Sequence, residues 1–590
     1  MKIIKGIGIY TLLILGALTV FGVLIFGCMF VFPNFDVFGW KVMFRSNHEA
    51  LVYNTGKLTK DQTYEIVVNA GVHNVNIYQF ADETPFINII KHDDMFGFYK
   101  GAYNEKLVYS DANNPTIVNG NVVTITLGKI DGAILGRKST LDIYLPSILS
   151  YDLDITTTTG NVFIDGYGYD GTTRTHNLNV KSLEVETKSG DFSWQSINTK
   201  AYLQPENAAY YGATAVDSID TTAEGYDKKN YVRYLFLDEL NATTETGKFD
   251  FTLSNSDCRE TVIAPRTAGS KTMAAVITSG AEDSAWAASL DTDTTKAFNL
   301  SAERGDFKFN KLIASTLNVV GTDVLIEANY IGTWQDFYFN VPNGYFNIEN
   351  LETFAATGNN EIKTLNTIIT NNINIDLETV GGELSITTTY GNINIGTLEK
   401  NASLTSTHGN IHVELAKSAI SAISEKGDIT IDAYQSKGYL KNTSGKINAS
   451  FDINWYKTAT HKTEDYLQVM EISNAKASTT LNNAVFATKI TSGGGNLNVS
   501  YYEMPIVGGV THDVTVASGS ATIKVSNLEA FKFLGKGSIS GTVGSVEMKQ
   551  TEGTEPVVLL TPSTDSTNLT LLKVTATGGS ATFATYLVTA

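Results

Sequence analysis

Cysteine occurs only twice in the 590 residues, at Cys28 and Cys258. Cys28 sits inside an apolar run, so the chain beyond it has no second thiol with which to close an internal disulfide. An exported chain of this size without disulfides fits a bacterium better than a eukaryotic secretory pathway. Sequons such as Asn401-Ala-Ser and Asn568-Leu-Thr then read as products of an Asn-, Ser- and Thr-rich surface. Proline is also scarce, at 10 residues, which leaves few breaks in regular structure. An excess of positive charge is missing: 43 Lys and Arg stand against 61 Asp and Glu, a net charge of −18. That balance excludes a nucleic-acid binder and disfavours contact with anionic lipid head groups.

Catalytic signatures are missing too. The chain has no HExxH, EF-hand loop, P-loop, GxSxG or CxxC, no calcium-binding nonapeptide repeat and no LPxTG-like wall-sorting signal. No arginine lies between Gly382 and Ser450, and the acids there (Glu383, Glu399, Glu414, Glu425, Asp428, Asp432) form no column of carboxylates in the repeat alignment. Lyase chemistry needs carboxylates or a metal to acidify a proton and a base to remove it. The expectation is a protein that is not an enzyme, with no cofactor and no metal.

What is present begins with "MKIIKGIGIYTLLILGALTVFGVLIFGCMFVF". After Lys2 and Lys5, residues 6–32 are uncharged and apolar, long enough to span a bilayer as a helix. The reading is a cytoplasmic stub and uncleaved transmembrane anchor over residues 1–33, with the lysines inside and the rest of the chain outside the cell. "VLIFGC" also resembles a lipoprotein cleavage box ending at Cys28, an alternative the sequence leaves open.

Further on, the phrases GNINI, GNIHV, GDITI and GKINA place glycines at Gly391, Gly409, Gly427 and Gly445, in steps of 18. Alignment on glycine puts Ile393, Ile411, Ile429 and Ile447 in one column. Ile395, Val413, Ile431 and Ala449 form a second, and Ile386, Leu404, Ala422 and Leu440 a third. Polar residues alternate with these, the period of half-buried strands. Each unit reads as strand, glycine corner, strand, with glycine expected at positive φ. One unit cannot bury its own apolar face, so stacking predicts an all-β, β-helix-like solenoid. A run of antiparallel hairpins is the competing arrangement.

Looser copies occur at Gly160, Gly190, Gly247, Gly305, Gly344, Gly495, Gly519 and Gly579, and the pair Gly519–Gly537 repeats the 18-residue step. The domain reading is an N-terminal β region over 34–135 and first repeat turns over 136–200. A Tyr-rich insertion over 201–236 interrupts them. The solenoid runs over 237–451, most regular near 384–451, followed by an insertion over 452–475 and C-terminal β-repeats over 476–590.

Few residues suggest a binding role. His408 and His412 share variable polar columns and read as outer positions. His92 to Asp94 read as an ordinary polar loop. The threonine runs 156–159 and 387–389 offer a flat hydroxyl-bearing face for glycans, or strand residues chosen for β-propensity alone. Tyr202, Tyr210, Tyr211, Tyr226, Tyr231 and Tyr234 are the candidate partner-contact residues, since aromatic side chains give large contact area at low entropic cost; packing of the insertion onto the solenoid wall is the alternative.

The segments "TYEIVVNAGVHNVNIYQF" (Thr63 to Phe80) and "STLDIYLPSILSYDLDITTTTGNVFIDG" (Ser139 to Gly166), with the later GNINI-type repeats, resemble one bacterial family. It is the adhesin-like β-strand-repeat family called toastrack, which includes ectodomains of Lia-type envelope-stress membrane proteins. The resemblance covers residues 63 to 450 with interruptions. It implies a repetitive β-fold on a membrane-anchored extracytoplasmic protein and carries no catalytic residues to transfer. The expected function is a non-enzymatic adhesin-like or envelope-sensing scaffold, with a glycan, cell-wall or surface-protein ligand. A surface carbohydrate-active enzyme of lyase or hydrolase type and a purely architectural envelope protein are the alternatives.

Overall fold

The computed structural model describes residues 2–31, 40–60, 62–80, 85–100, 118–127, 134–168, 179–195, 199–203, 214–216, 224, 226–252, 260–265, 267–268, 271–272, 297–333, 335–353, 365–502, 508–525, 531–550, 557–560 and 570–586. They belong to two compact units. Unit one holds residues 1–202, 215–228 and 233–258; unit two holds 203–214, 229–232 and 259–590.

Unit one begins with helix α1, Lys2–Val31. Among the described residues no helix is long and apolar enough to cross a membrane; the side chains of residues 2–12, 26 and 29–31 lie outside the described set. The β part is a parallel solenoid. Strand Thr63–Gly71 pairs in parallel with Ser150–Thr157, which pairs with Asn179–Thr187 and that with Glu239–Thr244. The companion face runs from Asn74–Phe80 through Val162–Gly168 and Phe192–Gln195 to Lys248–Asp250. The step from Gly190 to Gly247 is therefore one turn carrying an insertion. At the other end of this unit, strands Val122–Thr126 and Ile134–Pro146 pair beside Thr63–Gly71 and Asn74–Phe80. Two antiparallel strands, Asn88–Lys100 and Trp40–Asn54, then cover that edge. Covering an edge removes a row of unpaired backbone groups that would otherwise recruit another chain.

Unit two is the longer solenoid, and the 18-residue repeat is its turn. On one face Glu383–Thr388, Ala402–Ser406, Ile420–Ser424 and Gly438–Asn442 lie in parallel register. On the other, Ile375–Val380, Ile393–Leu398, Ile411–Ala416, Ile429–Tyr434 and Ile447–Phe451 do the same. Ile393 pairs with Ile411, Ile411 with Ile429 and Ile429 with Ile447, all fully buried. Hairpins are thus ruled out for this region: every pairing of the repeat is parallel and one turn apart. Burying each such side chain contributes roughly 1.5–3 kcal/mol, which is why the apolar columns are kept.

The glycine spacing departs from the 18-residue turn in two places. Phe346 pairs with Ile375, so one turn spans 29 residues there, and Gly382 lies at the opposite corner from Gly391. The 18-residue step from Gly519 to Gly537 is not a turn. Strand Thr570–Thr585 pairs with Ser520–Val525 on one side and with Phe531–Val543 on the other, so a later segment sits between them.

The corner chemistry also differs from expectation. Gly391, Gly409, Gly427 and Gly445 do not have positive φ. They are glycine because backbones stack closely: a Cβ on Gly409 would lie 1.9 Å from the Gly391 carbonyl oxygen, and one on Gly427 2.0 Å from that of Gly409. Three residues before each glycine, a buried polar side chain holds the corner. Thr388 Oγ1 accepts the Gly391 N–H at 3.1 Å, Ser406 Oγ the Gly409 N–H at 2.9 Å and Asn442 Oδ1 the Gly445 N–H at 2.7 Å. Asn442 Nδ2 also donates to the Gly427 carbonyl of the previous turn at 2.6 Å. Buried backbone groups at a corner have no ladder partner, and this column supplies one.

The residue after the glycine stitches the outside. Asn392 Oδ1 accepts the N–H of Asn410, Asn410 that of Asp428 and Asp428 that of Lys446, at 2.7–2.8 Å. Unit one repeats the device through Asn74, Asn161, Asp191 and Lys248.

The 452–475 interruption forms two short helices, α2 (Ile453–Thr458) and α3 (Thr463–Tyr466). Asp452 caps α2 by accepting the Trp455 N–H at 3.0 Å. Trp455, Tyr456, His461 and Tyr466 pack edge-to-face or stacked around Phe451 and Phe486. The solenoid resumes at Met470–Asn474, which pairs with Gly438–Asn442.

Candidate binding grooves on the outer face

Because strand side chains alternate in and out, the outward residues of unit two form columns along the turns. One column runs Asp376, Asn394, His412, Thr430, Asn448, Thr480, Asn498, Thr522. The same strands carry a second outward column that includes Glu378, Gly396, Glu414 and Asp432 in one-turn steps. Glu414 and Asp432 therefore share a column with Glu378, interrupted by Gly396, which corrects the expectation that the acids of the repeat form no column: both stand five residues after their glycines.

Across these columns lies a groove of about 490 Å³ bordered by Glu349, Asp376, Glu378, Asn394, His412 and Glu414. Its polar groups are partly committed: Asn394 Nδ2 donates to Asp376 Oδ1 at 2.6 Å, and His412 Nε2 lies 2.9 Å from Asp432 Oδ2. Among the described residues no three His, Cys, Asp or Glu side chains are placed to hold a metal ion. Further along the face a groove of about 280 Å³, neutral but for Lys524, opens around Asn482, Asn483, Asn498, Ser500, Thr522 and Tyr586.

In unit one the outer face is acidic. Asp154 is flanked in register by Val67 and Glu184. Burial raises the affinity of the Asp154 carboxylate for its proton. Burial, with the charges of Asp154, Glu239 and Glu186, does the same to Glu184.

The residues singled out from sequence fall in different places. His408 is half-buried; it stacks on Tyr390 with ring centroids 4.6 Å apart and lies 2.9 Å from Lys426 Nζ through Nε2. Those partners are one turn away on either side, so His408 and His412 belong to separate columns and do not converge. His92 lies on strand Asn88–Lys100 rather than in a loop, 3.2 Å from Asp142. The threonine runs do not make a flat hydroxyl face: Thr157 and Thr388 are buried and belong to the corner column, where Thr157 Oγ1 donates to the Gly160 carbonyl at 2.8 Å.

Of the tyrosines, Tyr202 lies on strand Thr199–Leu203 and Tyr234 on Tyr231–Phe236. Tyr226 and Tyr231 are half-buried, while Tyr210 and Tyr211 lie outside the described residues, as does Cys258. The side chains of Tyr202 and Tyr234 are also outside the described set, so the grouping of the six into one site lies outside the described residues.

Sequence reasoning missed a buried polar cluster in unit two. Thr488 Oγ1 sits 3.0 Å from His512 Nδ1 and 3.2 Å from the Tyr501 hydroxyl. Burial alone pushes the His512 pKa down to about 3, so the ring is neutral. It also missed the neutral groove, whose only local signal is the Asn482-Asn483 pair at a strand end.

The solenoid architecture agrees with comparison to known families. Neither a curated protein nor a solved structure matches the chain. The family model described as Toastrack DUF4097 matches residues 65–465, and strands beyond residue 465 continue the same parallel register. With more than half of its length matched, the chain belongs to the Toastrack DUF4097 family.

Proposed function

We propose that this protein is a membrane-anchored surface scaffold, non-enzymatic, that uses the outer faces of its solenoid for adhesin-like contact or envelope sensing. The observation that carries the anchor is α1. Its described large apolar residues Leu13, Ile14, Leu15, Leu18, Val20, Phe21, Val23 and Leu24 are each 57–66% exposed, around the helix rather than on one face. A helix that is apolar on all sides suits lipid or a protein core, and within this protein nothing described covers it. The contact role is supported by rigid columns of polar side chains on the outer face, held by a hydrogen-bonded ladder.

Fractionation of cells expressing the full chain tests the reading. The expected outcome is resistance to alkaline extraction from membranes, and cleavage of the solenoid by protease added to intact cells. Release by alkali, or protection from external protease, would overturn it. Saturable binding to whole cells or peptidoglycan would separate the contact role from a purely architectural one.

The carboxylates of the larger groove favour a second reading, a carbohydrate-active enzyme of the lyase or hydrolase class. Turnover of a polysaccharide by the wild-type chain, lost in Glu414→Gln, would establish that reading in place of the first.

A further inference from the structure

Four parallel strands build the neutral end of the outer face: Ile447–Phe451, Thr479–Ala484, Asn496–Tyr501 and Ser520–Val525. Their register is regular except between Leu481 and Ala484. At that break stands Asn483 with φ +58°, the only non-glycine residue in the left-handed region among the described residues. Its surroundings hold it there. The Asn483 N–H donates to Ser500 Oγ at 3.0 Å, and Asn483 Oδ1 accepts from the Tyr586 hydroxyl, 103 residues away in sequence. Left-handed residues other than glycine persist where the structure over-determines them, and they concentrate at ligand sites.

The break and Tyr586 frame the groove of about 280 Å³. Three carboxamides, those of Asn482, Asn483 and Asn498, border it, with the hydroxyls of Ser450, Ser500 and Thr522. No carboxylate does, and Lys524 is its one charged residue. The side chains of Asn498, Thr522 and Lys524 make no hydrogen bond or ion pair among the described residues, whereas Asn394 and His412 in the acidic groove do.

We infer that this groove binds a neutral glycan, through a sugar ring carrying hydroxyl or acetamido groups. A carboxamide donates and accepts at once, so it suits neighbouring sugar hydroxyls or an acetamide; hydroxyl side chains do the same with a freely rotating proton. The volume is close to the lower end for small-molecule pockets and suits one or two rings. The net charge of −18 repels polyanions, which leaves Lys524 as an additional donor rather than the selector of an acidic sugar. The turns rise by roughly 4.8 Å each, comparable to the advance per sugar of an extended β-linked chain, so further sugars would lie along Thr480 and Asn448. The inference names the ligand class of the contact face and rests on the reading of that face as a contact surface.

Calorimetric titration of the full chain, in a detergent without a sugar headgroup, tests it. The probes are tetra-N-acetylchitotetraose and cellotetraose, with tetragalacturonate as the anionic comparison. The expected result is saturable binding of at least one neutral probe, weakened about tenfold or more by the pair Asn498→Ala and Thr522→Ala. Ser403→Ala, exposed on strand Ala402–Ser406 and lining neither groove, should leave it unchanged. Tyr586→Phe, which frees Asn483 without removing a groove amide, should weaken it as well and serves if the double variant melts early. Absence of binding by both neutral probes at millimolar concentration overturns the inference. So does equal binding by the double variant at unchanged melting temperature, or a preference for tetragalacturonate. Cell fractionation does not enter this titration, so a failed anchor and a failed groove give different results.

Discussion

The side-chain carbonyl of Asn392 accepts the backbone N–H of Asn410 at 2.8 Å, one turn of the solenoid later. Asn410 does the same for Asp428, so each phrase of the repeat hydrogen-bonds its own next copy. The ladder stops where the residue after glycine is lysine, at Lys446 and in unit one at Lys248, because lysine has no acceptor.

Replacing Asn410 by Ala leaves the Asp428 N–H without its partner at a solvent-facing corner. The expected loss is about 0.5–1.5 kcal/mol in denaturant unfolding, the net worth of one hydrogen bond. Asn410→Asp keeps the acceptor, as Asp428 and Asp191 do, and should lose less. Equal losses in the two variants would show that the ladder contributes nothing.

Gly409→Ala places a Cβ 1.9 Å from the Gly391 carbonyl oxygen, with the Gly391 carbonyl carbon and the Asn392 nitrogen, all backbone, close behind it. The turns must separate, and the expected cost is about 3 kcal/mol or more, beyond ordinary overpacking. Hydrogen exchange across Ala402–Ser406 and Ile411–Ala416 should accelerate first. A loss below about 1 kcal/mol would contradict the close-approach account of the corner glycines.

Ile411→Asp puts a charge inside the fully buried isoleucine column and should destabilise by several kcal/mol. Thr430→Asp, half-buried on the outer face, should do little. Matching melting temperatures for these two variants would defeat the inside–outside assignment.

His512 gives a pH dependence with a definite sign. Its folded pKa is about 3, against about 6.5 for a free histidine, so between these values the unfolded chain binds the extra proton. This contribution to stability is complete above about pH 6.5 and is lost as pH falls toward 3, by up to about 1.4 kcal/mol per pH unit. His512→Asn, which can still meet Thr488 but does not titrate, should flatten the acid limb of the stability profile. An unchanged limb would mean that other groups set it.

Much of the fold was legible because two periods coincide in the chain. Alternation in Ile393-Asn394-Ile395 marks a half-buried strand, and its return 18 residues later in Ile411-His412-Val413 marks a stack. The corner column was in plain view as Thr388-x-x-Gly391, Ser406-x-x-Gly409 and Asn442-x-x-Gly445, but polar residues beside a glycine ordinarily mean an exposed turn. Only the buried geometry shows them turned inward. The candidate site was less legible: the grooves are made by residues from several turns, and the aligned repeats end before most of the neutral one.

The sequence by itself determined the stacking unit. A strand that is apolar on alternate residues must bury that face, and identical columns at a fixed step can be buried only against their own copies. It did not determine the order of the final turns, where Thr570–Thr585 enters between Ser520–Val525 and Phe531–Val543. Nor did it determine why the corners are glycine or where the outer face opens. Those depend on how near one backbone comes to another, and on residues such as Asn483 and Tyr586 that lie far apart in the chain and meet only when it folds.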